Sequence, residues 1–173
     1  TSSFAGNHTA FRYTAASTSS SGIGDCNSAT TDGGTFAFSV AANVVKTCVV
    51  TADPLDFGSV DGIVSSANID AQTTIYLTCS KPTAYRVLLI PSNNSTTGTS
   101  AMKGLTSGNA DTVPYQLYRN AARSQQWGNQ AANSPTGTGT GTAQSLTVYG
   151  RVPGLPNVRP DNYKDTVTVS VTY

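Results

Sequence analysis

Apolar residues at every second position govern what this chain can become. The stretch Thr35 to Val44, TFAFSVAANV, puts Phe36, Phe38, Val40, Ala42 and Val44 on one face of an extended strand and Thr35, Ala37, Ser39, Ala41 and Asn43 on the other. The final run, Thr166 to Tyr173, alternates through Val167, Val169, Val171 and Tyr173. No comparable run carries the 3.6-residue period of an amphipathic helix, so the chain reads as all-β.

Between these two runs, short apolar segments recur at the spacing of a β-sandwich, separated by turn residues. Val45 to Thr51, Asn68 to Cys79, Ala84 to Ile90 and Gln144 to Val152 are expected strands, and PYQLYRNAARSQQWG (114 to 128) supplies a further pair. Two stretches read as connections. SNNSTTGTSAMKGLTSGNAD (92 to 111) is polar with a small apolar patch at Met102 to Leu105, and SPTGTGTGT (134 to 142) has a flexible composition. The tyrosine in Asp161-Asn162-Tyr163-Lys164-Asp165 stands where an immunoglobulin-like sandwich can have its tyrosine corner; an ordinary half-exposed turn tyrosine fits equally.

The length of 173 residues suits one domain with an appendage. Residues 1 to 34 form that appendage: a small, polar, aperiodic extension with Phe4, Phe11 and Tyr13 as its large side chains. Residues 35 to 44 are a separable strand segment, and 45 to 173 the sandwich. The start lacks the basic-then-apolar pattern of a signal peptide, so the chain is expected to be cytosolic or already processed.

Composition narrows the chemistry. Every acidic residue is Asp, charged residues are 11% of the chain and the formal net charge is +1, which leaves no basic field for a nucleic acid. His8 is the single histidine and lies in the extension, so Ser-His-Asp or Cys-His catalysis has no rigid frame. One His and three Cys without a CxxC pair give no zinc ligand set, and Asp53, Asp56 and Asp61 fit turns better than a calcium loop. No enzyme activity, cofactor, metal or small-molecule substrate is expected. Tyr115, Tyr118 and Trp127 could stack on a sugar, but in a chain with one Trp they fit core packing better.

Cys48 and Cys79 end two expected strands 31 positions apart; a bridge would contribute about 3 to 4 kcal/mol and imply an oxidising compartment, whereas two buried thiols would not. Cys26 is left over. With side-chain chemistry exhausted, backbone pairing is the remaining candidate for function. A last strand with a bare edge could be completed by an extended peptide. The segment Thr35 to Val44 would span about 33 Å as such a strand. Burying Phe36, Phe38, Val40 and Val44 would contribute roughly 6 to 12 kcal/mol before entropy costs. Pattern alone leaves this segment equally able to serve as the first strand of its own sandwich.

The motifs VVKTCVVTADPLDFGSV (44 to 60), YLTC (76 to 79), PYQLYRNAARSQQWG (114 to 128), VYGRVPG (148 to 154) and NYKDTVTVSVTY (162 to 173) resemble the spore coat protein U domain family, which includes pilin subunits of archaic chaperone-usher pili. The resemblance covers roughly residues 35 to 173. It implies an incomplete immunoglobulin-like sandwich lacking its last strand, completed by a donor strand from a neighbouring subunit. The implied donor face is Phe36, Phe38, Val40 and Ala42, with Val44 at its margin, and the implied acceptor edge is Val167, Val169, Val171 and Tyr173. The family's disulfide maps to Cys48 and Cys79. Implied partners are copies of the same chain in a head-to-tail filament, a periplasmic chaperone and an outer-membrane usher. The implied location is the cell surface, reached through the periplasm, and the implied role is adhesion and biofilm formation. The extension before the donor segment departs from the family pattern; it suits packing along the fibre surface through Phe4, Phe11 and Tyr13, a minor or specialised subunit, or the end of an upstream domain. The alternative functions are a tip or minor adhesin subunit binding a surface ligand, and a self-contained coat or surface protein whose own N-terminal segment fills its groove.

Overall fold

The computed structural model describes residues 2–3, 10–13, 31–35 and 37–173. It divides into two units, Thr1–Val45 and Lys46–Tyr173. Phe4, His8, Cys26 and Phe36 lie outside the described residues.

In the first unit, β1 (Ser2–Ser3), β2 (Ala10–Tyr13), β3 (Thr31–Thr35) and β4 (Ser39–Val40) form two antiparallel pairs, β1 with β4 and β2 with β3. The continuous strand expected over Thr35 to Val44 is shorter: regular pairing ends at Val40, and residues 41–47 carry no assigned structure.

The second unit is a sandwich. Its strands are β5 (Cys48–Ala52), β6 (Ile69–Cys79), β7 (Ala84–Pro91), β8 (Thr99–Gly104), β9 (Thr112–Tyr118), β10 (Thr136–Thr138), β11 (Ala143–Val152), β12 (Tyr163–Lys164) and β13 (Val167–Thr172). One sheet has the order β12-β8-β9-β11-β6-β5 and the other β10-β7-β13, all pairings being antiparallel. The longest ladder, β6 with β11, pairs Ile69 with Val152 at one end and Thr78 with Ala143 at the other. It directs Ile75, Leu77 and Val148 inward, as a two-residue period requires.

Leu117 of β9, in the same sheet, and Val87 and Leu89 of β7, in the opposite one, complete the core, each at most 2% exposed. Cys48 and Cys79 face each other in the β5–β6 register and are joined by a disulfide. Tyr163 makes a tyrosine corner, its hydroxyl donating to the Arg159 carbonyl at 2.7 Å.

Two segments expected as connections contain strands. β8 crosses the polar stretch 92–111; its inward positions are Ser100, Met102 and Gly104, so it lacks an apolar alternation to announce it. β10 occupies part of the Gly-Thr run and pairs with β7. There, the Tyr85 ring lies where a Cβ on Gly137 would sit. The cysteine at the end of β6 crowds Gly139 in the same way, a Cβ there falling 2.7 Å from Cys79 Cβ. These glycines permit close approach between backbone and neighbour. The stretch 114–128 yields one strand, β9, and a single bridge from Tyr118 to Gln126.

Candidate strand-acceptor groove

β13 is bonded to β7 along six paired positions, and among the described residues no strand pairs with its other edge. Val167, Val169 and Val171 point inward and are partly buried against the core. Tyr173 lies one residue beyond the strand and is 56% exposed. The open edge borders an apolar cavity of about 520 Å³, lined by Ile75, Leu89, Leu117, Val148, Val167 and Val169 among others. A second cavity of about 330 Å³ continues it and is lined by Ile69, Val113, Val152, Leu155 and Val158.

Leu55, Phe57, Met102 and Tyr163 line both cavities and form the partition between them. Leu55 and Phe57 come from the segment after β5, where Pro54 and Gly58 keep the chain out of regular pairing. Their side chains reach over β11 at Gly150, where a Cβ would stand 2.6 Å from Leu55 Cδ2. Glycine at that position is what lets the segment lie so close.

Polar clusters tie down the chain around the groove. Asp165, two residues before β13, accepts hydrogen bonds from Tyr115 Oη at 2.6 Å and Ser100 Oγ at 2.9 Å, and from the Thr166 amide at 2.8 Å. Burial opposes its charge, but hydrogen bonds from Ser92, Tyr115, Ser100 and Thr166 outweigh that penalty and hold its carboxyl below the usual range. Burial first, and then Asp165, push the Tyr115 hydroxyl upward. Asp161 accepts from Asn109 Nδ2 at 2.7 Å and from the amide and hydroxyl of Thr106, both at 2.9 Å. With Asn109 the leading cause, its pKa falls to about 2.

On the opposite ladder, Arg151 grips Asp70 through two bonds, at 2.7 and 2.9 Å, and Arg123 adds a 3.2 Å ion pair. Arg123 also donates to Gly150 O and Ala71 O, fastening the 119–126 loop across β11 and β6.

Of the expected donor residues, Phe38 is 53% exposed, Val40 50% and Val44 87%, and Ala42 is exposed. The three aromatics weighed as a stacking platform are not one: Trp127 is 1% exposed and Tyr115 3%, and the indole donates to Val87 O at 3.0 Å inside the core. Leu55, Phe57, Met102 and Asp165 are groove residues that period-two patterning does not find. The one available signal was the pair of aspartates bracketing Tyr163.

A comparison with family models matches residues 34–170 to the Spore Coat Protein U domain. Among solved structures, the chain is similar to one in the crystal structure of the CsuC-CsuE chaperone-tip adhesion subunit pre-assembly complex, from the archaic chaperone-usher Csu pili of Acinetobacter baumannii. The identity is 22% and the TM-score 0.52, over 75% of this chain and 40% of that one. The likeness is one of fold, and the present chain spans less than half of that chain's length. A second similar chain comes from a study of a chaperone-tip adhesin complex in CFA/I fimbriae biogenesis, at 8% identity and TM-score 0.38, covering 66% of this chain and 38% of that one. Comparison with curated proteins returns no match.

Proposed function

Since its match over residues 34–170 makes the chain a member of the Spore Coat Protein U domain family, we propose that it is a chaperone-usher pilus subunit whose groove takes a strand from another polypeptide. The observation that carries this reading is the open edge of β13 beside an apolar cavity of about 520 Å³. An extended strand laid there would satisfy the free backbone groups of β13 and place alternate side chains against Ile75, Leu89 and Leu117.

The strand this chain offers in turn is residues 35–44, through Phe36, Phe38, Val40, Ala42 and Val44. The described members of that set are exposed, which supports their availability. Each subunit then fills its neighbour's groove, a head-to-tail contact that does not close on itself and so grows into a filament. Before assembly, a periplasmic chaperone would cover the same edge, an outer-membrane usher would pass the subunit outward, and the fibre would serve adhesion and biofilm formation at the cell surface. The role is structural and involves no turnover or cofactor.

The pairing of β4 with β1 and of β3 with β2 favours a second reading. There, β3 and β4 keep their own partners, and the chain accepts a strand without donating one, as a tip or minor adhesin subunit does. Deleting residues 35–44 separates the two: a donor loses polymerisation but keeps chaperone binding, whereas an acceptor-only subunit still caps fibres of its partner. A full chain that binds neither chaperone nor any extended peptide along β13 would contradict both.

A further inference from the structure

A preformed apolar cavity of this size is under pressure to close. Interiors pack densely, and an unfilled space lined by aliphatic side chains forfeits their dispersion contacts. β13 can relieve that by leaning toward the opposite sheet, because only its β7 edge is held by a ladder. Among the described residues, the side-chain hydrogen bonds that tie the link before β13 to the opposite sheet are centred on Asp165. Its carboxylate takes Ser100 Oγ of β8 and Tyr115 Oη of β9, side chains whose residues are 6% and 3% exposed, while its other oxygen takes the Thr166 amide. A carboxylate bonded to buried hydroxyls fixes distance and direction in a way that aliphatic contact does not, and burying it without those partners is costly.

We propose that Asp165 is the positioning residue of the acceptor strand, a strut from β8 and β9 to the two-residue link that leads into β13, which keeps the groove open before any strand arrives. The inference rests on the reading of this groove as a strand acceptor. Its consequence is kinetic: with the strut, an incoming strand meets a formed edge, and without it docking must wait for β13 to return. Asp165 touches the frame of the groove and acts through β13.

The test uses the full chain and a synthetic peptide of residues 35–44, with association and dissociation measured separately. Asp165→Ala is expected to slow association about tenfold while leaving dissociation within about twofold, since the occupied groove is held by the strand itself. Asp165→Asn keeps the shape and one acceptor oxygen, which can still take Ser100 and Tyr115 while its NH2 cannot take the Thr166 amide; it recovers most of the rate, and Thr168→Ala on the exposed face of β13 changes nothing. Unchanged association in Asp165→Ala, or no recovery in Asp165→Asn, overturns the proposal. If Asp165→Ala does not fold, Tyr115→Phe removes one bond to the carboxylate and is expected to slow association about threefold.

If the wild-type chain captures no peptide, the acceptor reading with this occupant fails, and hydrogen exchange on the free chain still decides the role of Asp165. Amides of β13 should exchange about tenfold faster in the Ala variant with β6 and β11 unaltered. Uniform acceleration, or none, counts against it.

Discussion

Trp127 and Val87 are joined across the buried core, the indole Nε1 donating to the Val87 carbonyl at 3.0 Å. The Trp127 amide also donates to Leu117 O at 2.9 Å, so one residue pins β7 and β9, which belong to opposite sheets, to each other. Trp127→Phe keeps most of the apolar volume and leaves the Val87 carbonyl without this donor. A loss of about 1 to 3 kcal/mol in denaturant unfolding is expected. Trp127→Ala should cost about 3 to 5 kcal/mol.

The disulfide between Cys48 and Cys79 closes the first two strands of the sandwich where they are already in register. Replacing both cysteines with serine should lower stability by about 3 to 4 kcal/mol while leaving the sheet content by circular dichroism unchanged. A variant as stable as the wild type would show that the bridge contributes nothing beyond the β5–β6 ladder.

Gly137 separates the steric from the flexible reading of the Gly-Thr run. With the Tyr85 ring occupying the space of its missing side chain, Gly137→Ala should destabilise by about 1 to 3 kcal/mol through overpacking. In the background of Tyr85→Leu, which withdraws the ring, most of that penalty should vanish. A double-mutant cycle measures the coupling, and additive effects would return this stretch to the status of a linker.

Asp161 sets an acid limit. Its folded pKa, about 2, lies below the ordinary aspartate value, so its hydrogen bonds stabilise the fold fully above the unfolded pKa, and that contribution is lost as pH falls toward the folded one. Thermal unfolding of the wild type should therefore weaken between about pH 4 and pH 2 by more than that of Asp161→Asn. Parallel curves for the two proteins would assign the acid sensitivity to other carboxylates.

Most of the fold was legible because its strands obey one rule. Where one face is buried, as in β6, β9 and β13, apolar residues fall at alternate positions and the sequence displays them. β8 and β10 escaped because Met102 is the one large apolar side chain among their inward positions; the others, Ser100, Gly104 and Gly137, serve hydrogen bonding or close approach. The same limit applied to the groove. Its β13 wall was visible in Val167, Val169 and Val171, whereas Leu55 and Phe57 sit in an irregular segment whose place against Gly150 depends on tertiary packing. The strand expected over residues 35–44 was drawn from alternation alone, and alternation does not say what pairs with it; the pairing observed reaches only to Val40.

Two adjacent residues of β13 offer a local check on the groove. Val169 lines the cavity and Thr168 faces outward. Val169→Asp should abolish capture of an extended peptide, and Thr168→Asp should leave it intact, as read by fluorescence polarisation on variants with native circular dichroism. Equal effects would mean that the peptide binds elsewhere.

The central claim, that β13 is completed by another polypeptide, is tested most directly by a filament reconstruction from cells expressing this chain, at a resolution that traces side chains. The account predicts continuous density for a strand of a neighbouring subunit along the open edge of β13, with alternate side chains entering the cavity beside Ile75, Leu89 and Leu117. A groove that is empty in the filament, or filled by residues 35–44 of the same chain, would contradict it.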